Sequence, residues 1–291
     1  LIYRVRHRTT YDYEDPVSVS HHVVRLTPRN LPAQICWESY VAIMPPPPVT
    51  SAHFDYFGNT LTSFTLQEPH DSLIVEAQSS LEVNAIAPPD FSGSPPWENV
   101  RESFAGAPGD EVLAAWQFVF DSQRVKSNPE LAAYARESFP EGRPLLAAAL
   151  DLMRRIHQDF RFDKKATEVA TPVQTFFEKR RGVCQDFAHL QIACMRSLGL
   201  PARYVSGYLR TMPPPGRPRL VGADASHAWC SAWCPGTGWV DFDPTNNCVP
   251  SDGHITVAWG RDYGDVSPIY GVLLGGARHT LRVEVDVTPV P

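Results

Sequence analysis

From Tyr3 to Arg8 the chain alternates Tyr3, Val5 and His7 with Arg4, Arg6 and Arg8. A period of two predicts a strand with one buried face. Residues 17–26 and 73–83 are rich in β-branched side chains, and Gly58-Asn59 between two apolar runs marks a tight turn. Residues 1–87 therefore read as an N-terminal antiparallel β-domain, with the proline-rich stretch 87–97 as its exit.

Beyond residue 98 the period changes. Val112, Leu113, Trp116, Val119 and Phe120 recur at helical spacing, as do Leu145, Leu146, Ala149, Leu152, Met153 and Ile156. A short helix from Thr171 is predicted to stop at Glu178-Lys179-Arg180-Arg181-Gly182, with cations in its last turn and glycine after it. The next helix runs from Cys184 to Leu198, with Phe187, Leu190, Ala193, Cys194 and Leu198 on one stripe and Gly199 and Pro201 ending it. Strand patterns return at 202–209, 225–234, 239–245, 255–259 and 279–287. Helices followed by strands indicate an α+β fold. Four segments follow: the β-domain 1–87, a proline-rich linker and helical segment 88–140, a core 141–250, and a C-terminal loop with strands 251–291.

Composition narrows the class. The length of 291 residues is about twice the ~150 of a typical domain. With 43% hydrophobic and 20% charged residues, wholesale disorder is excluded. The 28 prolines cluster at 45–48, 88–89, 95–96 and 213–215, so they mark connections. A net charge of −6 with no large basic block gives no reason to expect a nucleic-acid partner. No apolar run approaches the ~18 residues of a bilayer span, and the N-terminus lacks a secretory apolar region, so no membrane association is expected. Six cysteines are too sparse for a disulfide scaffold. A cytoplasmic location is the expectation; nothing in the pattern speaks to oligomeric state or to what preceded Leu1.

The candidate chemistry centres on Cys184. It falls in the first turn of a helix, where unpaired N–H groups and the helix dipole favour a thiolate, and Lys179, Arg180 and Arg181 lie just upstream. Cys36 and Cys194 read as buried structural thiols. His227 lies on a strand, followed by the turn Pro235-Gly236-Thr237-Gly238 and a returning strand that carries Asp241 and Asp243. A hairpin of this kind sets a histidine beside a carboxylate, the base and orienter of a nucleophile–base–acid relay. Asp243 is the diagonal neighbour, roughly 7–8 Å away at Cα, and Asp241 lies a strand period further.

Parity makes the hairpin testable, because a one-residue slip sends each side chain to the other face. A four-residue loop, 235–238, separates His227 from Asp243. A three-residue loop, with Gly236 or Gly238 in the left-handed conformation, brings them together. An odd-length loop is therefore expected, with Cys230 and Cys234 on the opposite face, away from Cys184. A zinc site from His227, Cys230, Cys234 and Cys248 is the rival reading, but Cys230 and Cys234 on one strand stand roughly 13 Å apart. His189, five residues after Cys184, reads as a solvent or packing residue. The loop from Gly260 to Val266 either lines a cleft or turns the chain. With no phosphate-cradling loop, no His-Glu-x-x-His and no EF-hand, no cofactor and no metal are expected.

The stretches Gly182-Val183-Cys184-Gln185-Asp186-Phe187-Ala188, Arg196-Ser197-Leu198-Gly199-Leu200-Pro201-Ala202-Arg203 and Val205-Ser206-Gly207-Tyr208 resemble the transglutaminase-like core. His227-Ala228-Trp229 and Gly238-Trp239-Val240-Asp241-Phe242-Asp243-Pro244-Thr245 follow in that family's order. The N-terminal Tyr3-Arg4-Val5-Arg6-His7-Arg8-Thr9-Thr10-Tyr11 and Ser20-His21-His22 resemble the bacterial transglutaminase N-terminal region. The resemblance implies a papain-like cysteine-protease/transglutaminase core with Cys184 as nucleophile, His227 as base and Asp243 as its orienter. It also implies supporting or binding roles for Asp186, Tyr208 and Trp229. The implied substrate is a peptide or protein amide, attacked to give a thioester that water or an amine resolves. A catalytically silent binding or scaffolding protein of the same fold is the alternative, and loss of a triad member would mark it. Small-molecule acyl transfer, as in arylamine acetyltransferases with the same Cys-His-Asp order, is a minor one.

Overall fold

The computed structural model describes residues 1–104, 109–211 and 225–290. Its N-terminal strand, β1 (Ile2–Val24), buries Tyr3, Val5, His7 and Thr9 and turns Arg4, Arg6 and Arg8 outward, as the period of two predicts. With β2 (Gln34–Met44), β3 (Thr50–Phe54), β4 (Thr60–Leu66) and β5 (His70–Val83) it forms an antiparallel sheet in the order β2-β5-β1-β4-β3. The turn at Gly58-Asn59 joins β3 to β4, and Gly58 takes a φ of +72° there.

The helical half begins with α1 (Trp97–Glu102), α2 (Asp110–Trp116), α3 (Pro129–Arg136) and α4 (Leu145–Asp159). The expected helix through Phe120 stops at Trp116, and Phe120 is exposed. The short parallel pair β6 (Arg161–Phe162) and β7 (Arg181–Gly182) brackets α5 (Val173–Lys179). That helix ends where the charge run predicts, but Arg180, not glycine, takes the left-handed position, at φ 57°. Its guanidinium lies 4.6 Å from the Phe160 ring centre and 4.5 Å from that of Phe177.

The central element is α6 (Cys184–Ser197), buried on every side from Gln185 to Arg196. Besides the apolar stripe it buries Gln185, Asp186, His189, Gln191 and Arg196. Gln191 Nε2 donates to the Ala149 carbonyl, and Arg196 donates to the carbonyls of Phe118, Ala202 and Arg261 and to Ser122 Oγ. Strands β8 (Ala202–Leu209), β9 (Ala225–Cys234), β10 (Gly238–Phe242) and β11 (His254–Gly260) form a second antiparallel sheet, ordered β10-β9-β8-β11, against which α6 packs. Helix α3, which the sequence pattern assigns to a linker segment, also packs on α6.

The C-terminal segment divides between the two sheets. β11 completes the second sheet, and a short helix, α7 (Tyr263–Val266), follows it. Then β12 (Ile269–Gly275) and β13 (His279–Val290) return to pair with β1. The first half of β1 thus lies between β5 and β13, and the second half between β4 and β12.

The join between the sheets follows from an edge problem. β11 is an end strand, and an uncovered edge presents unpaired backbone groups. Gln34 donates to the Thr256 carbonyl at 2.7 Å and accepts from the Thr256 N–H at 2.8 Å. Asn59 likewise donates to the Trp259 carbonyl and accepts from its N–H, both at 2.9 Å. Two side-chain amides stand where a neighbouring strand would. His7 Nδ1 meets the Tyr208 hydroxyl at 3.0 Å in the same interface. One apolar core runs through it, from Tyr3, Val5, Leu81 and Val287 to Leu190, Ile192 and Tyr204. No helix among the described residues is long and apolar enough to cross a membrane.

Because that core is continuous, the two sheets are expected to unfold as one unit. Leu81→Ala, at a fully buried site, should cost roughly 2–5 kcal/mol. It should lower a single calorimetric transition without splitting it; two separated transitions would contradict a shared core.

Candidate active site

Three local devices hold Cys184 in place. Gly182 precedes it because a Cβ there would collide with the Asp186 carboxylate and the Phe176 ring. Val183 is the N-cap residue and has no side-chain acceptor, so Asp186 reaches back and accepts the Val183 N–H at 2.8 Å. Thr167 Oγ1 donates to the same Asp186 oxygen at 2.6 Å. Burial raises the Asp186 pKa, against the pull of these two hydrogen bonds. The outcome is a fixed first turn with a half-buried Cys184 at its start. No hydrogen bond to a protein acceptor is found for the Cys184 N–H among the described residues. Asp186 is thus a structural cap, 2% exposed.

His227 and Asp243 meet through the hairpin register. Gly238 pairs with Cys234 and Trp239 with Trp233, leaving the three-residue loop 235–237. Gly236 and Gly238 take φ values of +74° and +82°, the left-handed geometry that such a loop needs. That odd-length loop is the parity that sets His227 and Asp243 on one face. Cys230 and Cys234 alternate to the other face and are fully buried. Asp243 lies just past β10 and bridges to Cys248. His227 Nε2 and Asp243 Oδ2 are 2.7 Å apart. Cys184 is the ring's other neighbour and also favours its charged form. Burial disfavours the charged imidazole, but the bonds to Asp243 and Cys184 outweigh it and raise the His227 pKa to about 10.

Asp243 is fully buried. Its Oδ1 accepts the N–H groups of Thr245 and Asn246 at 3.0 and 3.1 Å. Its Oδ2 accepts from His227, from Asn246 Nδ2 at 2.7 Å and from His254 Nε2 at 3.1 Å. Burial opposes ionisation, but the donors from His227, His254 and Asn246 prevail and hold the carboxyl well below its usual range. The competing Asp241 is engaged elsewhere, accepting from Trp229 Nε1 at 2.9 Å and from Ser231 Oγ.

The other expected site residues are placed as follows. Trp229 is buried and walls the cluster, with its ring centre 6.1 Å from that of His227 and 5.3 Å from that of His254. Tyr208 is also buried, its hydroxyl engaged by His7, so it ties the two sheets together and is not presented to solvent. His189 is buried and accepts the Tyr263 N–H at 3.1 Å, a packing role and not a solvent one. The Gly260–Val266 loop turns the chain: Asp262 caps α7, and Arg261 pairs with Asp265. Sequence patterning did not single out His254.

His227, Asp243 and His254 bring three ligand atoms within 4.8 Å of one another, a set that could hold a metal ion. Asp243 Oδ2 lies within hydrogen-bond distance of both rings. All six cysteines are free thiols. Burial pushes up the pKa of Cys36, Cys194, Cys230, Cys234 and Cys248, that of Cys248 to about 11.

Residues 3–82 match the bacterial transglutaminase-like N-terminal region, and residues 132–244 match the transglutaminase-like superfamily. An uncharacterized protein of Mycobacterium tuberculosis is 40% identical over 99% of this chain and 92% of its own length. A protein-glutamine gamma-glutamyltransferase of Pseudomonas aeruginosa is 34% identical over 43% of this chain and 20% of its own. Among solved structures, a candidate cysteine protease from Cytophaga hutchinsonii superposes with a TM-score of 0.75 at 21% identity. That match covers 100% of this chain and 91% of the other, and it establishes the shared fold.

The buried pair links stability to pH. His227, raised above its ordinary 6.5, stabilises the fold fully below that value and loses this contribution as pH rises through about 10. Asp243, depressed below 3.8, stabilises above that value and loses its contribution as pH falls. Asp243→Asn should therefore cost roughly 1–3 kcal/mol between pH 4 and 6.5, with the gap from wild type narrowing toward pH 10. Thermal midpoints of both proteins across pH 4–10 check this; a pH-independent gap would contradict it.

Proposed function

Because this chain belongs to the transglutaminase-like superfamily and carries the bacterial transglutaminase-like N-terminal region, we propose that it is a thiol-dependent acyl-transfer enzyme acting on peptide or protein amides. The observation that carries this reading is an imidazole whose Nε2 lies 2.7 Å from a buried carboxylate and whose charged form is favoured by a neighbouring half-buried thiol in a helix's first turn. The cysteine proteases and transglutaminases to which the fold is related support the same class of chemistry.

In this reading His227 stands as the cation, already holding the proton of Cys184, and the sulfur attacks the carbonyl carbon of a carboxamide. The oxygen takes the displaced electron pair and faces the Cys184 N–H at the positive end of α6. As the C–N bond breaks, His227 returns its proton to the departing amine or ammonia, leaving a thioester on Cys184. A second nucleophile then gives its proton to His227 and attacks the thioester carbonyl, releasing the thiolate. Water yields hydrolysis and a primary amine yields transamidation. Asp243 orients the ring and balances its charge throughout.

Incubating the protein with an amide-substrate library, with and without a primary amine, and analysing products by mass spectrometry tests the reading. Products should form and should vanish in Cys184→Ala, whose thermal midpoint stays near that of wild type. Iodoacetamide should label Cys184 before the five thiols that burial holds protonated; faster labelling of Cys36 or Cys248 would overturn the nucleophile assignment. Turnover should decline as pH rises through about 10, where His227 loses the proton that it donates.

A further inference from the structure

Asp243 receives a second imidazole that the acyl-transfer steps do not use. His254 opens β11, with its backbone N–H on the Ser251 carbonyl at 3.0 Å. Its Nε2 lies 3.1 Å from Oδ2 of Asp243, the same oxygen that His227 Nε2 reaches at 2.7 Å. The His254 side chain is only 8% exposed, and the Trp229 ring stands edge-on to it. Trp229 is itself held by Asp241. A carboxylate that is kept ionised has no proton to give, so the hydrogen between the two groups belongs to Nε2 of His254.

Charge offered to one donor is not fully available to another. Backbone N–H groups already hold Oδ1, and the Asn246 amide also touches Oδ2. Loss of His254 therefore leaves the carboxylate oriented but releases more of its charge toward His227. A ring held too firmly as the cation is a poor proton donor to a leaving amine. The other titratable groups around the cluster are Cys184 on α6, Cys230 and Asp241 on the hairpin, Cys248 beside Asp243, and His157 of α4, which bonds the Thr245 carbonyl.

We propose that His254 is a positioning residue that moderates the Asp243–His227 bond, donating its own Nε2–H to the shared oxygen and so keeping the His227 proton transferable. This rests on the acyl-transfer reading. Two variants separate the hydrogen bond from packing: His254→Phe keeps a ring beside Trp229 without a donor, and His254→Gln keeps an amide donor without the ring. The readout is the pH dependence of iodoacetamide alkylation at Cys184, which needs no substrate.

In wild type the profile should show a step where His227 loses its proton. His254→Phe should move that step upward by about one pH unit, a tenfold change in proton affinity, and His254→Gln should leave it within a few tenths of a unit of wild type. An unmoved step in His254→Phe, or equal displacement in both variants, would overturn the inference while leaving the acyl-transfer reading intact. Absence of any His227-dependent step in wild type would instead remove the reading on which it rests. Imidazole nitrogen NMR of the wild-type protein gives a check independent of variant folding. His254 should carry its proton on Nε2 at neutral pH, and an unprotonated Nε2 would overturn the inference.

Discussion

A carboxylate removed from water stays ionised only when hydrogen-bond donors replace its hydration, and Asp243 is fully buried with donors on both oxygens. Those donors come from separate parts of the fold: His227 from β9, His254 from β11, and Thr245 and Asn246 from the turn after β10. Each must be in register for the anion to be tolerated. The hairpin loop length, the strand order and the turn therefore converge on one side chain. The N-terminal sheet enters the same scheme, because Gln34 grips the backbone of Thr256, two residues from His254.

The Cys184 side of the cluster is built on rigidity of another kind. Helix α6 is enclosed by α3, α4, α5 and the second sheet, and its buried Arg196 and the Gln191 Nε2 donate to backbone carbonyls of surrounding segments. Its first turn is held by Asp186, Thr167 and the bare backbone of Gly182. Such a platform fixes where the thiol starts, which is what the proposed acyl transfer requires of it.

Much of this was legible in the residues. The period of two in β1, the extents of α6, β8 and β9, and the parity of the hairpin all follow from local pattern and turn chemistry. Other features depend on contacts that no local pattern encodes. The return of β12 and β13 to β1 pairs residues far apart in the chain, from Val24 with Ile269 to Ile2 with Val290. The Tyr208 hydroxyl meets His7 across the join between the sheets, and α3 looked like part of a linker because its apolar face is short. His254 was missed because it sits at the mouth of a strand after a proline- and glycine-containing connection, with no spacing that ties it to Asp243. Arg180 in the left-handed position runs against the propensity for glycine, and the aromatic rings beneath its guanidinium accompany that exception.

The central claim is that Cys184 carries the acyl group between two nucleophiles. Quenching a reacting sample in acid and mapping the peptide that contains Cys184 by mass spectrometry tests it directly. The account predicts an added mass equal to the acyl portion of the substrate on that cysteine, removed by hydroxylamine and absent in His227→Ala. Product formation with Cys184 unmodified at every time point, or an adduct on a different residue, would contradict it.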